Sequence, residues 1–352
     1  MKIICFTDNL GSGGAQRQLV GLSCMLKERG HEVTVLTYYD NSFYKHILDD
    51  ADIKTDTICN NGNYFKRTYL LYKYLRNYPD CVLIAYQEIP SLIACFVRPL
   101  VKIKTLIVSE RNTTQIVTFK DRLRFWLWRF ADYVVPNSYS QANFILNNIS
   151  VAPQKIVPIT NFVDLDTFRP KKNIIRNYVI TVVASGKNEK NFIGVVKAAA
   201  ILKAQGQTFT INWYGIRALY LDHFRSVIED YNLVDCFKVY EPVKDINKVY
   251  QDSDYFCLPS FFEGFPNVLC EAMSCGLPVA CSNVCDNPYI VNERENGFLF
   301  DPASPESIAG AISSLLAMSD SQYADMAAAN RERALSLFSK STFLNKYLEL
   351  LK

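Results

Sequence analysis

A strand, helix, strand rhythm runs the length of the chain and restarts once near residue 170, and it limits the possible folds more than any single motif. Residues 2–7 form an apolar run of the kind shown by a fully buried strand. Residues 15–29 carry Leu19, Leu22 and Leu26 at helical spacing, and Gly30 follows where a helix-ending glycine is favoured. Further strands are expected at 32–37, 81–86, 105–109, 133–138 and 155–161. Repeated β-α-β units imply a parallel sheet with helices on both faces. After the polar, proline-bearing stretch 169–177 the pattern begins again, with strands at 178–185, 209–215, 237–242, 254–260 and 277–282. Helices are expected at about 191–205, at about 219–231 and after Pro266. The expectation is an α/β protein of two Rossmann-like, doubly wound parallel-sheet domains, 1–168 and 169–337, facing each other across a cleft. The last amphipathic helix, 338–352, is too short to be a domain and is expected to complete the first one.

Composition removes several function classes. A chain of 352 residues that is 49% hydrophobic and 21% charged is neither disordered nor fibrous. Its net charge of +3 is too small for a dedicated nucleic-acid binder, although residues 51–150 hold 13 Lys/Arg against 7 Asp/Glu. Eleven cysteines, an odd number with no CxxC pair, read as buried free thiols of a reducing compartment. With three histidines and no Cys/His cluster at ligand spacing, no metal site is expected; Cys281 and Cys285 could be a ligand pair but lack partners. The start, MKIICFTD, has no long apolar segment, and no uncharged run is long enough to span a bilayer. A cytoplasmic protein, soluble or peripheral on the membrane, is expected.

Two stretches could carry chemistry. GSGGAQRQL, from Gly11, follows the first strand and opens the first helix, so Gly13 and Gly14 could present amides to a phosphate. The spacing is G-x-G-G rather than G-x-G-x-x-G, and a plain tight turn is the alternative. EGFPNVLCE places Glu263 in the loop before a helix and Glu271 about one turn inside it. Between them Gly264, Phe265, Pro266, Asn267 and Val268 form a helix N-terminus whose amides suit an anion. An acid on each side of an anion site suits a ligand with a central phosphate and hydroxyls at both ends, which is the shape of a nucleotide sugar. Singly, Glu263 could complement the helix dipole and Glu271 could pair with a buried Arg.

With its E-x7-E pattern, PSFFEGFPNVLCEAMSCGLPVA resembles the signature of retaining GT-B glycosyltransferases of family 4. SGGA with GHEVTVLT at the front, NFVDLDTF before the second domain and NGFLFDP after the motif agree with it. The resemblance implies that Glu263 contacts the donor sugar, that Glu271 binds the ribose, and that amides around 264–268 and at Gly13–Gly14 meet the diphosphate and sugar. It implies a diphosphate-neutralising role for Lys190. Where the family places an Arg this chain has Ser185, with Lys187 as candidate substitute or simply a solvated lysine. Where many relatives have a His it has SERN, 109–112, so Glu110 or Arg111 could orient sugar or acceptor, or form an interdomain ion pair. Retention with front-face attack, no metal and no cofactor are further implications.

Lastly, KDRLRFWLWRFADY, 120–133, combines Lys120, Arg122, Arg124 and Arg129 with Phe125, Trp126, Trp128 and Phe130. Such a helix suits an anionic membrane face or, alternatively, half-burial in the first domain. The expected function is transfer of a sugar, with UDP favoured over GDP, to a lipid-linked surface glycan of the O-antigen or capsule type. An NAD-dependent oxidoreductase using Gly11–Gly14 and Asp40, and a non-catalytic membrane scaffold, are the rivals.

Overall fold

The computed structural model describes residues 1–60, 62–111, 117–149, 151–171 and 175–352, and only the backbone of residues 119 and 120. It divides into two units, Met1–Phe162 with Lys340–Lys352, and Val163–Ser339.

The first unit is built on β1 (Lys2–Phe6), β2 (Glu32–Thr37), β3 (Lys54–Thr57), β4 (Val82–Tyr86), β5 (Thr105–Glu110) and β6 (Tyr133–Pro136), all parallel in the order β3-β2-β1-β4-β5-β6. Ile4 lies between Thr34 and Leu83 in register. Successive side chains of a strand point to opposite faces. Ile4 and Phe6 therefore join one core with Leu106 and Trp128, while Ile3 and Cys5 join the other with Leu19, Leu22 and Tyr347. The helix Lys340–Leu350 belongs to this second core through Phe343, Leu344 and Tyr347.

The second unit repeats the plan with β7 (Val179–Val183), β8 (Thr210–Tyr214), β9 (Phe237–Tyr240), β10 (Tyr255–Leu258), β11 (Val279–Ser282) and β12 (Gly297–Phe300), ordered β12-β11-β10-β7-β8-β9. In each unit the first strand is flanked by the second on one side and the fourth on the other. The strand order thus reverses at β1/β4 and at β7/β10, where open α/β sheets bind ligands beyond their carboxyl ends. Helix Phe192–Ala204 packs its Val195, Val196, Ala199 and Leu202 into the core, each large apolar side chain contributing about 1.5–3 kcal/mol. Gly206, at φ 74°, ends it.

Several expectations need correction. The boundary falls at 162/163, six residues before the expected one, because unit 2 holds the segment that follows: Val163 N–H donates to Phe338 O, and Arg331 donates to the carbonyls of Leu165 and Phe168. Residues 155–161 form no full strand: beside the bridge Val134↔Ile156, Val157 N–H donates to Val134 O and Ile159 N–H to Pro136 O, but Pro136 has no N–H to return to the segment. Phe338 closes the helix Asp320–Phe338, and the last helix starts afresh at Lys340. β3, with the polar sequence KTDT, and β12 were not among the expected strands.

Candidate active site

In unit 2 the loops leaving the neighbouring strands β7 and β10 meet. Lys190 Nζ donates to Glu263 Oε1 at 2.6 Å, and the same oxygen accepts from Ser260 Oγ at 2.6 Å. The two charged side chains are 21% and 11% exposed, so water screens their attraction less than at an open surface. The Glu263 amide donates to Cys285 Sγ at 3.5 Å. Burial raises the Cys285 thiol above its ordinary range.

Asn191 fixes where Lys190 stands. Its backbone is left-handed, φ 57° and ψ 42°, a conformation that asparagine visits more readily than most residues. Its Nδ2 donates to Pro259 O at 3.2 Å and Pro302 O at 2.7 Å, while its Oδ1 caps the following helix by accepting from Gly194 N–H. Phe261 N–H donates to Glu189 O at 2.9 Å and ties the two loops again. Ser260 is held in turn, its carbonyl accepting from Ser282 Oγ at 2.7 Å. Neither Asn191 nor Ser260 was among the residues expected from sequence. The signals were an Asn just before an apolar helix and a Ser at a strand end, three residues before the acid.

Glu271 lies in the second turn of helix Asn267–Ser274, 5% exposed, its Oε2 accepting from Tyr250 OH at 3.3 Å. The expected seat of amides between the two acids is narrower than the sequence implied. Asn267 N–H is engaged by Phe265 O at 2.9 Å, and the Phe265 ring packs into the core 6.2 Å from Phe338. Pro266 occupies the cap position rather than the first turn, with φ −81° and ψ 69°. Gly264 and Val268 are half-buried, and Val268 O accepts from Tyr250 OH at 3.4 Å.

The glycine turn of unit 1 is organised around a carboxylate. Gly13 caps the helix Gly14–Glu28, and nothing stands within 4 Å of a Cβ placed on Gly14. Asp8 Oδ1 accepts from the Thr7 hydroxyl, the Asn9 amide and Gln16 Nε2, at 3.2, 2.7 and 3.2 Å, and Gly11 N–H donates to Asn9 Oδ1. These bonds engage donors of Thr7, Asn9, Gly11 and Gln16 and none from Gly13 or Gly14. Gln87, the residue after β4, has φ 74° and ψ 171°, a strained backbone at this unit's own switch point that sequence reading missed.

Lys187 is not brought to the Lys190–Glu263 pair. It is exposed, 3.7 Å from Glu189, and shares a different wall with Ser185. Glu110 and Arg111 are interior residues of unit 1. Arg124 Nη1 lies 3.3 Å from both Glu110 and Glu88, and its Nη2 lies 3.1 Å from Asp121. Arg111 donates to Asn161 Oδ1 at 2.9 Å and to the hydroxyls of Tyr86 and Tyr347 at 2.6 and 2.8 Å, stacked on the Tyr86 ring. Both side chains thus hold unit 1 together. Asn112 lies outside the described residues.

The basic aromatic segment is also partly interior. Phe125, Trp128 and Arg124 are buried, which leaves Leu123, Trp126, Arg122 and Arg129 on the outside, with Arg129 stacked 4.4 Å over Trp126. The Lys120 side chain lies outside the described residues. Among the described residues no helix is long and apolar enough to cross a membrane.

Residues 12–167 match the family described as Glycosyltransferase Family 4, and residues 164–333 match Glycosyl transferases group 1. Together the two matches span nearly the whole chain, and the protein is a glycosyltransferase of the two-domain GT-B fold. Among similar proteins is the N-acetylgalactosamine-N,N'-diacetylbacillosaminyl-diphospho-undecaprenol 4-alpha-N-acetylgalactosaminyltransferase of Campylobacter jejuni. It is 24% identical over 302 residues, 80% of each chain. The amylovoran biosynthesis glycosyltransferase AmsK of Erwinia amylovora is 35% identical over 139 residues, which span 36% of this chain and 32% of that protein. The crystal structure of Anabaena HepE in complex with UDP superposes with a TM-score of 0.86 at 18% identity, covering 100% of this chain and 99% of that one.

Proposed function

We propose that the protein is a retaining, metal-independent transferase that moves a sugar from a nucleotide donor, UDP-linked before GDP-linked, to a hydroxyl of a lipid-linked glycan in surface polysaccharide synthesis. The observation that carries this reading is the Lys190–Glu263–Ser260 cluster at the switch point of unit 2, with Glu271 one helix start away. Glu263 would accept from sugar hydroxyls and Glu271 from the ribose. Lys190, drawn off Glu263 by a more charged partner, would stabilise the leaving diphosphate, which is where negative charge develops. That diphosphate would take the acceptor proton as the acceptor hydroxyl attacks from the same face, so no separate base is assigned. The lipid carrier is supported by the diphospho-undecaprenol acceptor named for the Campylobacter relative. The exposed set Arg122, Leu123, Trp126 and Arg129 would rest on an anionic membrane at the cytoplasmic face.

A thermal-shift panel of UDP-, GDP- and ADP-sugars tests the donor clause, since a ligand that binds only the folded state raises its melting temperature. A shift with UDP-sugars that disappears in Glu271→Ala supports the reading. No shift with any nucleotide sugar contradicts it.

A further inference from the structure

A cavity of about 990 Å³ opens beyond the ends of β7 and β8. Lys187, Lys197, Arg217 and His223 line it, and no Asp or Glu does. Lys197 and Arg217 have no ion-pair partner among the described residues. Lys187 has only the Glu189 contact at 3.7 Å, with both side chains largely exposed, a pairing that a stronger anion displaces at little cost. The first turns of the helices Phe192–Ala204, Leu221–Asp230 and Pro305–Leu316 border this cavity, the first and third of them capped by the Asn191 and Ser304 side chains. Phe192, Tyr220, Phe224 and Phe261 supply apolar walls.

The walls are set by glycines that no other residue could replace without movement. Gly215 has φ 118°, and a Cβ there would stand 2.6 Å from Ala184 O; on Gly186 it would stand 2.7 Å from the Phe224 ring. The loops after β7 and β8 are thereby pinned against each other and against Phe224. None of Lys190, Glu263 and Glu271 lines this cavity, which shares only the bordering Asn191 and Phe261 with that cluster.

We infer that this cavity is a second binding site, separate from the donor site, for a phosphate ester with an apolar or aromatic group. Lys197 and Arg217, with Lys187, receive the phosphate, and the aromatic walls receive the ester group. The inference does not depend on Glu263 or Glu271 holding a donor.

Calorimetric titration of the full chain with inorganic pyrophosphate and with phenyl phosphate tests it. Both should bind, phenyl phosphate more tightly than inorganic phosphate, and affinity should fall with added salt. Lys197→Glu and Arg217→Glu should each weaken pyrophosphate by about tenfold or more, the loss of a charge-assisted contact. Both residues are exposed, so the fold should tolerate the changes; the milder Lys197→Ala with Arg217→Ala repeats the test if it does not. Lys190→Ala should weaken only a component of pyrophosphate binding that the charge reversals leave intact, since Lys190 would face the diphosphate at the donor cluster. Absence of binding overturns the proposal, and so does a phenyl phosphate affinity that both charge reversals leave unchanged.

Discussion

Arg124 is the most informative residue to perturb in unit 1, because it separates a structural role for Glu110 from a role in substrate binding. Its guanidinium faces three carboxylates, Glu110, Glu88 and Asp121, at 3.1–3.3 Å, while Arg124 and Glu110 are 4% and 2% exposed. Removing one partner of a buried pair leaves an uncompensated charge and costs about 3–5 kcal/mol. Arg124→Met should therefore lower the melting temperature by about 6–20 °C, taking about 2–4 °C per kcal/mol for a unit of this size. Glu110→Gln keeps the shape and leaves Arg124 two carboxylates, so it should cost about 1–2 kcal/mol. Thermal unfolding by circular dichroism reads both, and the double variant should cost less than the sum because the two groups are coupled. Transfer measured well below the melting point should be retained in both variants. A melting temperature like that of the wild type with a hundredfold loss of turnover in Glu110→Gln would refute the structural assignment and return Glu110 to the acceptor side.

Glu271→Ala should weaken nucleotide-sugar affinity by about 10–100-fold, the loss of one charge-assisted hydrogen bond, as read by calorimetry. Gln87→Gly should stabilise the chain by about 1 kcal/mol by relieving its positive φ, and an unchanged or lower melting temperature would show that no strain is held there. Asp121 gives a pH test. Burial raises its carboxyl, but the Thr118 hydrogen bonds and Arg124 outweigh burial and depress it. A group depressed in the folded state contributes stability above its unfolded pKa, and that contribution is lost as pH falls through the folded value. Acid titration of Asp121→Asn should accordingly show less loss of stability below about pH 4 than the wild type does. Burial pushes Cys257 and Cys275 up to about 12, so alkylation at neutral pH should leave them unmodified in the folded chain. Cys285 is half-buried and should react slowly, and more slowly still with bound UDP-sugar if the donor sits at Glu263.

What sequence made legible depended on how local the signal was. The buried strands and the longer helices announce themselves by period, and Gly30 and Gly276 mark helix ends with positive φ where only glycine is at ease. β3 escaped because an edge strand reading KTDT carries no apolar alternation. The acids of the candidate site were readable from their place before and inside a helix. That Lys190 meets Glu263 was not, because 73 residues separate them and only the β7/β10 pairing brings their loops together. Burial was the other hidden term. Arg111, Arg124, Phe125 and Trp128 looked like surface chemistry in the sequence, yet long side chains cover apolar neighbours and take interior partners that lie far along the chain, as Arg111 does with Tyr347. Asn191 illustrates the same limit: its capping role is written locally, but its two carbonyl partners, on Pro259 and Pro302, are not.

The most direct test of the proposed chemistry is a proton NMR time course with an α-linked UDP-sugar and a diphospholipid-linked glycan acceptor, reading the anomeric configuration of the new bond. The account predicts an α-linked product from the wild type and a much slower reaction from Glu263→Ala. A β-linked product, or transfer by Glu263→Ala at the wild-type rate, would contradict it.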